Sequence, residues 1–228
     1  KLKRPRHVAI ILDGNRRFAK RLMLEPWKGH LYGKKKVEQL LDYAEDFGIK
    51  EMTFYVLSIE NIKNRSKNEL EFLYKVFQEA LKNISREKID ANKIKIRFIG
   101  NLDLLPEELK EQCRKLEEET KDNTNLIVNF AIAYGGRQEI IEAVRKILKN
   151  KIPAGNLSEK LIEENLYLNS ERDLIVRTGG EKRTSNFLLW QSSYSEWFFL
   201  DKMWPEFEKE DLVECIEEYR NRKRNFGA

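Results

Sequence analysis

The run Val8-Ala9-Ile10-Ile11-Leu12, closed by Asp13-Gly14-Asn15-Arg16-Arg17, narrows the folds open to this chain. Five consecutive apolar residues, Val8, Ile10 and Ile11 among them β-branched, read as a buried strand of a parallel sheet. The strand stops at an acid, a Gly-Asn pair and two arginines. In open α/β sheets ligands sit beyond the carboxyl ends of strands. An Asp at that place can hold a hard cation, and paired arginines can hold phosphate oxygens bidentately. The stretch alone supports two readings equally, a Mg²⁺-assisted phosphate or diphosphate site and an ordinary Asp-Gly turn.

Hydrophobic periodicity carries the pattern along the chain. Strands are predicted over 8–13, 52–57, 94–99, 126–133, 173–176 and 196–200. Helical spacing recurs at Val37, Leu40, Leu41, Ala44 and Phe47, with Gly48 as the C-terminal cap. It recurs over 66–82, where Ser66 is placed as N-cap and Glu69 as its capping-box partner. Pro106 is placed at the first position of a helix carrying Leu109, Cys113 and Leu116. Further helices follow Tyr134-Gly-Gly-Arg137, span 158–166, and carry Leu212, Val213, Ile216 and Tyr219. Residues 16–30 and 177–190 read as polar, basic loops. This alternation predicts an α/β fold, a single domain over 1–228 with an open, mostly parallel β-sheet of about six strands flanked by helices. Lys1–Arg6 reads as a mobile basic arm and 220–228 as a basic tail.

A net charge of +5 favours acidic partners, with nucleic acid, anionic membrane and diphosphates all admissible. Cys113 and Cys215 stand far apart in helical patterns, which points to a reducing cytoplasm. Two histidines leave little material for a zinc site or a Ser-His-Asp triad. No signal peptide is visible, and no apolar run approaches the roughly 18–20 residues that span a bilayer. Gly29–Lys34 is too short for a Walker loop, and no G-x-G-x-x-G follows the first strand. No D-D-x-x-D occurs, which argues against the all-helical trans-prenyl synthases.

The strand ends at Ser58, Tyr134 and Arg177 carry polar or glycine-rich sequence and are expected to lie with Asp13 near one edge of the sheet. Arg177-Thr-Gly-Gly-Glu-Lys-Arg183-Thr-Ser185-Asn reads as a nest for a second diphosphate, its glycines allowing close backbone approach and its arginines neutralising charge; the alternative is a solvated loop. Ser58-Ile-Glu60-Asn61, with Arg65 beyond, could add hydrogen bonds and a phosphate arginine, or be a helix-entry loop. Glu196 is either an acid at the core edge or a second carboxylate near Asp13. His30, after Gly29, is either structural or a cationic or proton-donating group beside a leaving diphosphate.

Taken together, Asp13-Gly-Asn-Arg-Arg-Phe-Ala-Lys, Gly29-His30, Tyr55 to Asn61, Tyr134-Gly-Gly-Arg137, Arg177 to Gln191 and Trp204-Pro205 resemble, in this order, the cis-prenyltransferases, from about His7 to Gly227. The D-G-N-R-R form resembles the archaeal and eukaryotic branch; many bacterial members have Gly in place of Arg16. The resemblance implies an enzyme that condenses an allylic diphosphate, farnesyl or geranylgeranyl, with successive isopentenyl diphosphates. Such an enzyme makes a Z-polyprenyl diphosphate carrier lipid, requires Mg²⁺ and works as a homodimer. It implies that Asp13 and Glu196 hold the metal. Gly14, Asn15, Arg16, Arg17 and Phe18, with His30, Ser58, Asn61 and Arg65, would hold the allylic diphosphate. Arg177, Arg183 and Ser185 would hold isopentenyl diphosphate. Asn15 and Ser58 would serve proton removal and positioning of the second substrate, and Phe18 and Val56 would line an apolar tunnel between sheet and helices. The helices at 36–47 and 66–82 are candidates for its walls.

The basic surface suits a peripheral protein that passes its product to an anionic membrane. Departures from the family pattern are Pro26 where Arg is common, with Lys28 as a possible replacement, Ile62 for Trp, Lys182 for His, and Asn225-Phe-Gly227 for R-x-G. Two other readings are a non-catalytic partner subunit, against which Asp13, Arg177 and Arg183 argue, and a nucleic-acid-binding domain, for which no reader motif exists.

Overall fold

The computed structural model describes residues 4–170 and 173–222, the side chain of Glu45 excepted. Six strands, β1 (His7–Ile11), β2 (Glu51–Ser58), β3 (Ile94–Ile99), β4 (Leu126–Tyr134), β5 (Leu174–Arg177) and β6 (Glu196–Phe199), form one sheet in the order β3-β4-β2-β1-β5-β6. Every pairing is parallel. The helices are α1 (Asn15–Arg21), α2 (Gly29–Phe47), α3 (Ile59–Asn64), α4 (Lys67–Asn83), α5 (Arg86–Ala91), α6 (Glu107–Thr120), α7 (Gly136–Lys149), α8 (Glu159–Asn165) and α9 (Lys209–Asn221).

The unbroken apolar run of β1 has a structural reason. Val8 and Ile10 face one core with Met52, Phe54, Val128, Leu212 and Tyr219, while Ala9 and Ile11 face a second with Tyr55, Tyr134, Ile175 and Phe187. A strand covered on both faces has no polar side to alternate with. The chain winds from β1 toward β3 and β4, then crosses to β5 on the other side of β1. This reversal makes the carboxyl ends of β1 and β5 the switch point at which open sheets place ligands.

Local chemistry sets the element ends. Ser66 caps α4 by accepting from Glu69 N at 3.3 Å. The expected reciprocal bond is not made, because the Glu69 carboxylate lies 3.5 Å from Arg65 Nη1 and 3.6 Å from Arg16 Nε instead. Pro106 stands one residue earlier than expected, as the cap preceding Glu107. The expected loop at 16–30 is mostly helical, holding α1, a 3₁₀ turn at Pro26–Lys28 and the start of α2. Of the basic arm, residues 1–3 lie outside the described residues. Pro5 is buried, and Arg6 O accepts from Lys50 N and Glu51 N at 2.8 and 2.9 Å, so the arm is anchored at its end. The tail beyond Arg222, with Asn225-Phe-Gly227, also lies outside the described residues. Both cysteines are buried, and burial raises each thiol to about 12. No helix among the described residues is long and apolar enough to cross a membrane.

Candidate active site

Asp13 lies just beyond β1, on the switch point. Its carboxylate accepts from Gly14 N at 2.6 Å, from Arg177 Nη2 at 2.7 Å and from Arg17 Nη2 at 3.3 Å. Gly14 precedes α1 with φ at 105°, and a Cβ there would fall 2.8 Å from Met203 Cα. Only glycine therefore turns the chain from β1 into α1 at this packing distance.

Around that turn is a cavity of about 360 Å³ lined by Leu12, Asp13, Gly14, Asn15, Arg16, Arg17, Lys20, His30 and Arg65. It gathers residues from β1's end, α1, α2 and the loop after α3. Glu69, buried at the start of α4, sits between the guanidinium groups of Arg16 and Arg65. Arg65 Nη2 also donates to Asn61 Oδ1 at 3.3 Å. Burial, chiefly, with some help from Arg16 and against the pull of Glu69, lowers the Arg65 pKa. His30 is pushed down to about 3 by burial first and then by Arg65 and Arg16. Of the readings open from sequence, this favours a neutral imidazole over a cationic one. Its buried Nε2 has no hydrogen-bond partner among the described residues. Asn15 is similar, its Nδ2 donating to Leu12 O at 2.9 Å while its buried Oδ1 has no partner among the described residues. Buried polar atoms left without partners are unusual, and here both belong to residues that line one cationic cavity.

Leu12, Asn15 and His30 also line a second cavity of about 320 Å³, which is apolar. Its walls are Val37 and Leu41 of α2 and Val76, Phe77, Ala80 and Leu81 of α4; its floor includes Val56, Ile96, Phe98 and Ile132. A register shift between Tyr55 and Leu57 makes Val56 a bulge in β2. Phe18 lines neither cavity. It packs on Tyr32 with ring centroids 5.3 Å apart, under the Arg21 guanidinium. Lys28, the replacement foreseen for Pro26, lines neither cavity; Lys20 lines the cationic one.

The second constellation is wired differently. Arg177 is buried, and its Nη1 donates to Ser185 Oγ at 2.7 Å and to Arg183 O while its Nη2 holds Asp13. Thr178 Oγ1 donates to Asp13 O at 2.8 Å. Gly179 and Gly180 do take positive φ, 87° and 77°, yet their N–H groups donate to Lys202 O and Leu200 O at 2.7 and 2.8 Å. The expected glycine nest is thus closed by the segment after β6. The Arg183 side chain is exposed and paired with Glu181.

Ser58 caps α3, accepting from Asn61 N at 3.0 Å, and lines neither cavity. Glu196 opens β6 beside Leu174, at the end of the sheet opposite Asp13, and accepts from Arg222 Nη1 at 2.7 Å. One chain does not bring the two acids together, and no cluster of three His, Cys, Asp or Glu able to hold a metal exists among the described residues.

Asn186 was not singled out from sequence. At φ 63° its Nδ2 donates to Glu60 Oε1 at 2.8 Å, its Oδ1 accepts from Arg137 N at 2.9 Å and its carbonyl accepts from Gly136 N at 2.7 Å. It ties the loop after β5 to those after β2 and β4. Asn tolerates the left-handed region, so the Ser-Asn pair was the available signal.

A prenyltransferase family model described as undecaprenyl diphosphate synthase matches residues 11–227. A Methanopyrus kandleri protein named tritrans,polycis-undecaprenyl-diphosphate synthase (geranylgeranyl-diphosphate specific) is 46% identical, covering 98% of this chain and 84% of its own. A Thermoplasma volcanium protein of the same name is 45% identical over 100% of this chain and 90% of its own. Among solved structures, lavandulyl diphosphate synthase from Lavandula x intermedia, in complex with dimethylallyl diphosphate, superposes with a TM-score of 0.93 at 34% identity and covers 98% of both chains. A probable undecaprenyl diphosphate synthase from Campylobacter jejuni gives a TM-score of 0.84 at 34% identity, covering 99% of this chain and 100% of its own. With its parallel sheet, its cationic cavity at the β1 end and these relatives, the chain belongs to the undecaprenyl diphosphate synthase family of cis-prenyltransferases.

Proposed function

We propose that this protein condenses geranylgeranyl or farnesyl diphosphate with successive isopentenyl diphosphates to make a long-chain Z-polyprenyl diphosphate, a carrier lipid for glycosyl groups. The observation that carries this reading is the junction of the cationic and apolar cavities at Leu12, Asn15 and His30. A charged head and a hydrocarbon tail need adjoining sites of that kind. The relatives' names favour geranylgeranyl diphosphate as starter.

At each cycle the allylic C–O bond breaks, a new C–C bond forms to isopentenyl diphosphate, one proton is lost and diphosphate departs. Arg16, Arg17, Lys20 and Arg65 absorb charge on the leaving diphosphate, the largest electrostatic demand of the step. Neutral His30 offers its Nε2 to the diphosphate, as donor or acceptor according to tautomer. Asn15, a residue that lines both cavities, guides the departing proton. Ser58 acts through the α3 cap, which holds Asn61 and Arg65 in place. Arg183 and Ser185, braced by Arg177, receive isopentenyl diphosphate, and holding the two substrates in line supplies further acceleration. Asp13 suits Mg²⁺, since one carboxylate completed by diphosphate oxygens is a common Mg²⁺ donor set. Bound there, the ion would neutralise diphosphate charge. Glu196 does not join this set within one chain.

The chain works as a homodimer; the exposed stripe Ile141, Val144 and Leu148 on α7 supplies an apolar face for it. It acts in the cytoplasm, in peripheral contact with a membrane. Incubation with labelled isopentenyl diphosphate, Mg²⁺ and geranylgeranyl or farnesyl diphosphate tests the activity. Label in long-chain product that disappears with Asp13→Ala is expected. Absence of product, or full activity in Asp13→Ala, contradicts it.

A further inference from the structure

The turn after α1 spends conformational energy to expose apolar side chains. Leu24 N donates to Ala19 O and Met23 N to Lys20 O, at 2.9 and 3.0 Å, the paired bonds that end a helix through a left-handed residue. That place usually holds Gly; here Met23 takes it at φ 57°, and its side chain is 96% exposed. Leu22 is 44% exposed beside it, and Leu31 and Tyr32, in the first turn of α2, are 43% and 44% exposed. Tyr32 packs on Phe18 of α1, which fixes the first turn of α2 against the helix that the Leu22–Met23 turn ends. The same segment, 20–35, carries Lys20, Arg21, Lys28 and Lys35, all exposed, and half-buried Lys34, against the single acid Glu25. Arg21 is engaged by Glu206. Arg17 and Lys20, on the last turns of the same helix α1, line the cationic cavity. The tip therefore stands at the rim of the site.

An exposed apolar tip on a basic segment that also carries an aromatic hydroxyl is suited to the boundary between anionic headgroups and acyl chains. We infer that Leu22 and Met23, with Leu31 and Tyr32 beside them, insert into an anionic lipid bilayer and seat the cationic cavity at its surface. The occupant is the bilayer, because a second protein chain would gain nothing from an apolar tip on a segment of mainly like charges unless it were acidic. This inference rests on the proposed lipid product, which needs a bilayer to enter.

Flotation of the full chain with phosphatidylcholine vesicles, with and without phosphatidylglycerol, tests it. Wild type is expected to float with phosphatidylglycerol vesicles and to be released by salt. Leu22→Glu/Met23→Glu is expected to weaken partition by about tenfold or more, and Lys28→Gln/Lys35→Gln to weaken it several-fold on phosphatidylglycerol only. Met23→Gly is expected to raise the unfolding midpoint, since Gly carries no penalty at positive φ, while partition falls. Turnover of the tip variants in detergent with a short allylic diphosphate stays at the wild-type level. Unchanged flotation of Leu22→Glu/Met23→Glu overturns the role of the tip while leaving the enzyme reading intact. Loss of detergent turnover in wild type instead overturns the enzyme reading. Wild type that floats with neither vesicle, and whose self-association is lost in the tip variant, makes the tip a protein contact and also overturns the inference.

Discussion

Two basic, arginine-bearing loops are in opposite states. Around α1, Arg16, Arg17, Lys20 and Arg65 face an open cavity, and buried polar atoms of Asn15 and His30 lack partners among the described residues. After β5, Arg177 has its Nη groups committed to Asp13, Ser185 and the Arg183 carbonyl, and the glycine N–H groups are taken by Leu200 and Lys202. The first region is cationic and has buried polar atoms without partners among the described residues, which suits it to the polyanion proposed above. The second is paired at both Nη groups of Arg177 and at its glycine N–H groups, with Arg177 Nε the buried atom there that lacks a partner among the described residues, and it presents Arg183 and holds Asp13 in position. Charge density along a sequence therefore does not report readiness for an anion; that depends on what the fold has already paired.

The contrast yields tests of decreasing size. Arg177→Lys replaces a planar fork by one ammonium, which cannot hold Asp13, Ser185 and a carbonyl together. Single-turnover rates are expected to fall by about 10²–10³, the range for losing one preorganised transition-state contact; a change confined to KM would make Arg177 a simple phosphate ligand. Arg65→Ala is expected to weaken allylic diphosphate binding by about tenfold to a hundredfold, the loss typical of a charge-assisted contact. Arg183→Ala is expected to raise the KM of isopentenyl diphosphate while leaving allylic binding unaltered. Equal effects of both on both substrates would erase the division into two halves.

His30 gives a pH test of the unsatisfied state. Its pKa is about 3 in the folded chain against an ordinary 6.5, so the unfolded chain binds more protons between those values and stability falls as pH drops through that window. Thermal unfolding of wild type should lose more on acidification from neutral pH than that of His30→Gln. Inorganic diphosphate should raise the His30 pKa, followed by imidazole NMR. The smallest effect is expected at Asn186, whose exchange for Ala removes hydrogen bonds worth about 1 kcal/mol each. A modest drop in denaturation midpoint with a raised isopentenyl diphosphate KM is expected, and unchanged allylic affinity.

Much of the frame was legible because it rests on local signals. Val8–Leu12 reads as a doubly covered strand, Ser66 as a cap, and six strands in parallel order follow from alternation with helices. The motif at Asp13–Arg17 led to the cavity. What stayed hidden is set by distant partners. Seven-residue α1 is too short and too charged to show a hydrophobic period. Glu69 reads as a capping-box acid until Arg16 and Arg65 arrive beside it. The neutral state of His30 depends on burial and on two arginines from other elements. Phe18 was expected to line the apolar cavity, but Tyr32 holds it elsewhere. Glu196 sits at the far end of the sheet because parallel register, which sequence spacing does not reveal, aligns it with Leu174.

Calorimetric titration of wild type, Arg65→Ala and Ala80→Trp with inorganic diphosphate and with geranylgeranyl diphosphate separates head from tail. Ala80 lines the apolar cavity and not the cationic one. Ala80→Trp should weaken geranylgeranyl diphosphate by about tenfold or more, as tail burial is lost, and leave inorganic diphosphate unchanged; Arg65→Ala should weaken both. Ala80→Trp binding geranylgeranyl diphosphate as tightly as wild type would contradict the assignment of the apolar cavity to the prenyl tail.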